Sequence, residues 1–439
     1  MFKTIVVREI LEYLKSARFA LGLIITVVLI AASTLINVED YVLRHQDFLD
    51  AKKELQAESR RVNILRGPQV LSILVRGKDK DLGELVRVWV GDVPSELSGT
   101  MDVRKPKFPS LARLSAVDFA FLVRVVMSLM VIFLAYGAVA EEKAGGTLKL
   151  VLANALPRDK LLLGKLVSGL AVVLGALAVA SLLAVIFLML HPAVSLSGND
   201  ILRIAGMMAV SALYLSVFYA LGLFVSVKID RPAVALMVLL QAWVFLVVLY
   251  PNLSVTLAER LVPLPSEQTV AAEKAAVEAR FRKDIQEVNE KVLQATENDE
   301  DRLRFNKVWR QNAEEIHKVD SEFSRLQTRQ MKSAELISSL SPASLYDQVM
   351  NRLARTDIRE YELFMEGAVR LWRSYVERAN LRYTDPEAYN KSKLPDFGYA
   401  SDSTARTIAA VWPQALVLFL FSLVFFTLAY TGFLKKDLR

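Results

Sequence analysis

The chain has 439 residues, of which 53% are hydrophobic and 23% charged, with a formal net charge of +7 and no cysteine. Hydrophobic and charged stretches are segregated, which implies membrane spans alternating with sizeable polar segments rather than a soluble enzyme. Disulfides, thiol nucleophiles and cysteine-ligated metal centres are excluded, and His45, His191 and His317 are too scattered to form a metal motif.

Residues 1–17 read as an amphipathic helix with Phe2, Ile5, Val6, Ile10 and Leu14 on one side and Lys3, Arg8 and Lys15 elsewhere, as in a helix lying in the membrane interface. A signal peptide is the rival reading. The long leader with Glu9 and Glu12 favours an uncleaved anchor.

Six apolar runs are long enough to cross a bilayer: 18–37, 119–140, 164–190, 201–228, 233–252 and 407–433. The second carries Arg124, whose cost of about 2.5–3.5 kcal/mol at a span centre is outweighed by more than ten apolar residues at about 0.3–0.6 kcal/mol each. Orientation follows from the short loops. Lys143, Lys149, Arg158, Lys160 and Lys165 flank one loop, Lys228 and Arg231 the next, and the tail ends Lys435-Lys436-Asp437-Leu438-Arg439, whereas His191 to Asp200 has no lysine or arginine. Both termini are therefore expected in the cytoplasm. Many of the basic residues flank spans, so the positive charge speaks for topology and not for nucleic acid.

The fold class expected is an α-helical polytopic membrane protein with six transmembrane helices and two extracytoplasmic domains. In the first domain, 38–118, a helix over about Tyr41 to Val62 precedes two strands, Val70 to Val75 and Leu85 to Val90, and a Pro-rich return around Pro106 and Pro109. In the second, 253–406, two apolar stripes flank the acidic break Glu297 to Asp301. Val277, Phe281, Ile285, Val288 and Val292 form one, and Ile316, Val319, Phe323 and Leu326 the other. They predict an antiparallel helical hairpin reaching roughly 45 Å from the membrane. Such a hairpin is either a solvated spacer or a partner-binding arm, for which Phe281, Ile285, Trp309 and Ile316 are the candidates. Thr356 or Asp357 caps a further amphipathic helix carrying Tyr361, Phe364, Trp372 and Tyr375.

Between the second and third spans, residues 141–163 hold a short amphipathic helix. Leu148, Val151, Leu152 and Ala155 share one face, and Pro157 ends it. Without a soluble core nearby, that face needs the membrane surface or another protein. Glu141 and Glu142, then Gly146-Thr147-Leu148, then Pro157 and Leu162-Leu163-Gly164-Lys165 resemble the first cytoplasmic loop of ABC transporter type-2 permeases. The Ser341-Pro342-Ala343 turn and the helix before the last span are similar to the subgroup with an enlarged second external loop.

The resemblance implies that Glu141, Glu142, Gly146, Thr147, Leu148, Val151, Leu152, Ala155 and Pro157 form the ATPase-coupling region. It implies two copies of a separate ABC ATPase, which bind ATP and magnesium, and a second permease chain, identical or a sibling, in a bacterial cytoplasmic membrane. The chain itself lacks a phosphate loop, since Gly145-Gly146-Thr147-Leu148-Lys149 has the wrong spacing, and it carries no hydrolase signature. No cofactor is therefore expected in this chain. Polar residues inside spans are few; Arg124, Gln241 and Trp243 are candidates for a substrate path, against snorkelling and interhelical hydrogen bonding. The expected function is an exporter's permease subunit. The alternatives are an ATPase-driven lever acting on a periplasmic partner, and a motor-less membrane receptor or scaffold.

Overall fold

A computed structural model describes residues 2–57, 62–79, 85–88, 101–102, 117–148, 157–294, 299–393 and 396–435. Among them, six helices are long and apolar enough to span a membrane. Helix α1 (Phe2–Lys15) precedes the first span, α2 (Ala17–Ala57). The others are α3 (Phe119–Ala144), α4 (Arg158–Leu190), α5 (Gly198–Lys228), α6 (Pro232–Leu261) and, after the large polar segment, α12 (Thr404–Lys435).

Helix α5 is the axis of the bundle. Tyr214, Leu215, Val217, Phe218, Tyr219 and Ala220 on it are all fully buried, which is why its apolar residues run almost all round the helix. By contrast α2, α6 and α12 keep broad exposed apolar faces, with Leu21 and Val28, Met237 and Phe245, and Phe419 and Val424 among them. Such faces require hydrocarbon or another chain.

The first span does not end at the membrane. Helix α2 runs for 41 residues, about 60 Å at 1.5 Å per residue, against a hydrocarbon core of about 30 Å. Beyond the span it carries Arg44, which donates to Asp79 and Ser72, both at 2.9 Å, while Arg66 holds the same Asp79 at 2.9 Å. Buried Asp79 is thus satisfied by two guanidinium groups, and the domain is pinned to the helix.

The strand expectation needs correction. Val70–Ile73 is a 3-10 turn, and the strand that pairs with β2 (Leu85–Val88) is β1 (Val62–Leu65), which begins at Val62, where the expected helix was to end. The two are antiparallel in the register Val62 with Val88 and Ile64 with Val86, and β3 (Met101–Asp102) adds to the other edge. The physical reason is burial on every side. Leu71 to Val75 are all buried, most of them in the same core as Tyr41 and Val42 of α2, so the apolar run signals a plug and not a two-faced strand. The Pro-rich return lies outside the described residues.

The hairpin is present as α7 (Glu267–Gln294) and α8 (Asp299–Ser338). Its arms run antiparallel, as the pairs Phe281–Trp309 (ring centroids 4.6 Å apart) and Lys274–Asp320 (2.5 Å) require. Helix α10 (Ile358–Thr384) is capped by Asp357, as expected. It packs Tyr361, Phe364, Leu371 and Trp372 against Ile64, Val86 and Val88 of the sheet and Ala313 of the hairpin. A short helix α11 (Pro386–Lys391) follows.

Helix α9 (Pro342–Ala354) does not stand outside with the rest of this segment. Ser341 at its start donates to the Leu246 carbonyl within the fifth span, 2.5 Å away. Leu345, Tyr346, Val349, Met350 and Leu353 are buried in the core of the spans. It is a wedge let into the domain-bearing end of the bundle.

Candidate functional site

Two polar clusters sit on α3, near its opposite ends and about 27 Å apart by helical rise. The first is at the terminus-bearing end. Glu141 and Glu142 close α3, and the chain turns through Gly145 and Gly146, whose amides donate to the carbonyls of Glu141 and Lys143 at 2.9 and 3.1 Å. Gly146 has φ +73, a conformation for which a side chain is strained. Thr147 Oγ1 then donates back to the Glu142 carbonyl at 3.2 Å.

Lys165, early in α4, is the centre of this cluster. Its ammonium donates to Glu9 of α1 and to Glu142 of α3, each at 2.8 Å, and its side chain is only 3% exposed. Burial, only partly offset by Lys165, raises the Glu9 carboxyl above its ordinary range. One ammonium serves two carboxylates, and Glu142 Oε2 is buried without a hydrogen-bond partner. The joint therefore sets two carboxyl groups against one ammonium and leaves an unsatisfied acceptor, which is costly in a low-dielectric site.

Small residues make the joint possible. A Cβ at Gly164 would lie 2.8 Å from Ile5 of α1, and one at Gly169 would lie 1.9 Å from the Tyr219 ring. Tyr219 threads past Gly169 to donate to the Lys165 carbonyl at 2.9 Å, and its hydroxyl meets that of Tyr13 at 3.0 Å. The apolar side of α1 accordingly divides. Ile5, Val6 and Ile10 flank buried Glu9, whereas Phe2 and Leu14 are exposed. Arg18 binds Glu141 at 2.7 Å on the surface.

Three further elements close around the loop. A turn at Tyr136 interrupts α3, and the amides of Val139 and Ala140 donate to Ser226 Oγ of α5, both at 2.9 Å. Lys143 donates to the Val227 carbonyl at the end of α5. Leu148 is 1% exposed in a cluster with Val139, Leu161, Leu162, Leu223, Val227, Ala429 and Phe433. Of the expected docking face, Leu148 thus serves as the anchor inside the bundle, while Val151, Leu152 and Ala155 lie outside the described residues. Pro157 starts α4 from the N-cap position, with its carbonyl accepting from Leu161.

The second cluster surrounds α9. The second span widens into a π-helical segment at Val123–Met127, and the fifth does so at Val244–Leu249. A π-bulge releases carbonyls from the regular ladder. The Arg124 carbonyl accepts from Tyr214 at 2.8 Å and from Ser128, and the Leu246 carbonyl accepts from Ser341. The Arg124 side chain forms an ion pair with Asp347 of α9. Trp243 donates to Ser128 Oγ at 2.8 Å, and Tyr346 stacks on Tyr214 with ring centroids 4.6 Å apart. At the far end of α9, fully buried Arg203 donates to the carbonyls of Leu353 and Asp402 and to Thr407.

Of the expected path residues, Arg124 and Trp243 meet around Ser128, whereas Gln241 is exposed on the outer face of α6. The hairpin candidates do not form a patch on the outside. Phe281 and Trp309 face one another, and Ile285 and Ile316 are half-buried. Glu9, Lys165, Ser341 and Asp347 were not foreseen as site residues. A charge near the head of an apolar run, as in Leu161-Leu162-Leu163-Gly164-Lys165, was the available signal for one of them. Among the described residues no cluster of acidic and histidine side chains is fit to hold a metal ion.

A family model described as ABC-2 family transporter protein matches residues 4–438. No individually curated protein matches the chain.

Proposed function

The chain belongs to the ABC-2 family of transporter proteins, and on that premise we propose that it is an exporter's permease, driven by a separate ATPase through the loop between α3 and α4. As a family member it is a multi-pass membrane subunit, and the family implies an ABC ATPase as partner. In this reading the termini lie in the cytoplasm of a bacterium and the hairpin lies outside. The functional unit is two permease chains and two ATPase chains, and ATP and magnesium are bound by the ATPases.

The observation that carries the reading is the position of Glu142 and Arg124 on one helix. A displacement of the loop by Val151, Leu152 and Ala155 acts on Lys165 and so on α1, α3 and α4 together. Helix α3 relays it to Arg124 and the α9 wedge. The unsatisfied Glu142 Oε2 supports a joint that shifts, because an arrangement that pairs this oxygen would recover the hydrogen bond it lacks. The wedge lies where α3, α5 and α6 converge, and moving it opens or closes a way between them.

The test is to reconstitute the full chain with its ATPase and compare wild type with Leu152→Asp and Asn154→Asp. A charge placed on the docking face loses apolar burial and must be desolvated, which costs several kcal/mol. Stimulated ATP turnover is expected to collapse in Leu152→Asp and to survive in Asn154→Asp. Equal turnover and equal ATPase binding in all three would remove the docking role.

A second reading is favoured by the hairpin, whose base packs on the outer end of α6, with Tyr250 donating to the Ile337 carbonyl at 2.9 Å, and whose Phe281 and Trp309 pair across its own seam farther out. There the same motor moves an external partner and nothing crosses the membrane. Flux of a candidate substrate in sealed vesicles separates the two.

A further inference from the structure

The hairpin's return arm and α10 do not close completely on one another. Between them runs a groove of about 700 Å³, lined on the α8 side by His317, Ser324, Arg325 and Thr328 and on the α10 side by Met365, Val369, Arg370 and Arg373. Its floor is apolar, formed by Tyr361, Met365 and Val369. Its charges are arranged unevenly. The acidic groups are all engaged: Asp320 by Lys274 at 2.5 Å, and Glu362 and Glu366 by Arg359 at 3.1 and 3.3 Å. The cations are not. Among the described residues no carboxylate lies within ion-pair distance of Arg325, Arg370 or Arg373, and all three are exposed.

His317 adds a second sign of an incomplete site. Its Nδ1 is buried without a hydrogen-bond partner. Burial pushes the imidazole below its ordinary value, with Arg373 adding to the effect and Asp320 opposing it. The ring is therefore held in its neutral form, so it adds no positive charge to the groove. Three guanidinium groups with no carboxylate partner among the described residues, set around an apolar floor, fit an amphipathic anion.

The position selects among such anions. Helical rise puts Arg325 about 20 Å and His317 about 30 Å beyond Ser338, and Ser338 is close to Ser341, which is bonded to the fifth span. The headgroup layer adds only about 5–8 Å to each side of the hydrocarbon. A membrane-resident headgroup does not reach that far.

We propose that the groove between α8 and α10 docks an acidic, amphipathic peptide segment of a partner protein, with carboxylates on Arg325, Arg370 and Arg373 and apolar side chains on Met365 and Val369. The proposal gives the external-partner reading a chemistry. It needs neither ATP turnover nor transport, so its failure leaves the ATPase-driven permease standing.

The probe is a twelve-residue helical peptide of glutamate and leucine, labelled with an uncharged dye, beside its lysine and leucine counterpart. Fluorescence anisotropy is read on the full chain in detergent. The acidic peptide should bind at least tenfold more tightly than the basic one. The triple variant Arg325→Glu, Arg370→Glu, Arg373→Glu should lose at least tenfold, the triple Arg→Lys variant should stay within threefold of wild type, and Arg282→Glu, outside the groove, should have no effect. If circular dichroism shows that the charge-reversed variant misfolds, Met365→Trp fills the groove without altering charge and should weaken binding alike. Equal binding of the two peptides, or undiminished binding by both the charge-reversed and the Trp variants, overturns the proposal. Preferential binding of dihexanoyl phosphatidylglycerol over the acidic peptide assigns the groove to lipid and overturns it as well.

Discussion

Lys165 reaches Glu9, 156 positions earlier in the chain, at 2.8 Å, and Glu142 on a third helix at the same distance. Removing one member of a buried ionic cluster costs about 3–5 kcal/mol because its partners are left charged and dry. Lys165→Met should therefore destabilise the full chain strongly, whereas Glu9→Gln, which leaves Glu142 paired, should cost far less. Adding Glu9→Gln and Glu142→Gln to Lys165→Met should restore most of the loss. Thermal unfolding in detergent measures all four proteins; a harmless Lys165→Met would mean that the cluster is not holding α1 in place.

The ion pair between Arg124 and Asp347 is the contact through which α3 holds the α9 wedge. Arg124→Met and Asp347→Asn should each lower transport or output while ATPase docking persists, because the loop lies at the other end of α3. The two changes belong to one network and should be non-additive by about 0.5–3 kcal/mol in a double-mutant cycle of stability. Strict additivity would show that the pair carries no coupling.

Topology is open to a direct test because the chain has no cysteine. Single cysteines at Lys160 and Arg231, both exposed, should resist a membrane-impermeant thiol reagent applied from outside. Those at Ser195 and Lys391, also exposed, should react. Gly77 is a poor site for this purpose, since it has φ +49 and its Cβ would lie 2.6 Å from the Thr356 carbonyl. Labelling of Lys160 in intact spheroplasts would invert or break the six-span arrangement.

The spans were legible because length and apolarity alone decide membrane insertion, and the hairpin was legible because two stripes of helical period flank one polar break. The strands were half legible. Leu85 to Val88 alternates into a buried edge with Val86 and Val88 inward, whereas Leu71 to Val75 is buried throughout and so gives no period from which to choose. The charged joints were not legible. Glu9 reads as a polar residue on an interfacial helix, and only the packing of Ile5 over Gly164 turns it toward Lys165. Likewise nothing local separates α9 from the helices before and after it, since its place among the spans depends on the Leu246 carbonyl that a π-bulge in α6 sets free.

The last prediction concerns the distal half of the hairpin. Phe281 and Trp309 bury their rings against one another, so truncating either one loosens the arms and is a poor probe of partner contact. Cutting as far as Arg325 is also unsound. Ala313 is buried against α10 in the core shared with the sheet, and Asp320, 1% exposed, is held by Lys274. The informative change replaces Phe281 to Trp309 with a short Gly/Ser link. It leaves Lys274, Ala313, Asp320 and the groove in place, along with the bond from Gln330 to the Val262 carbonyl at the base. Phe281 and Trp309, which it removes together, pair with one another across the seam, so expression, the stability of the remaining chain and basal ATP turnover should be unchanged. Long ordered insertions are more often functional than decorative, and the physiological output should be lost. Expression, ATP turnover and cellular phenotype, compared beside wild type, decide it; full complementation by the shortened protein would reduce the distal hairpin to a spacer.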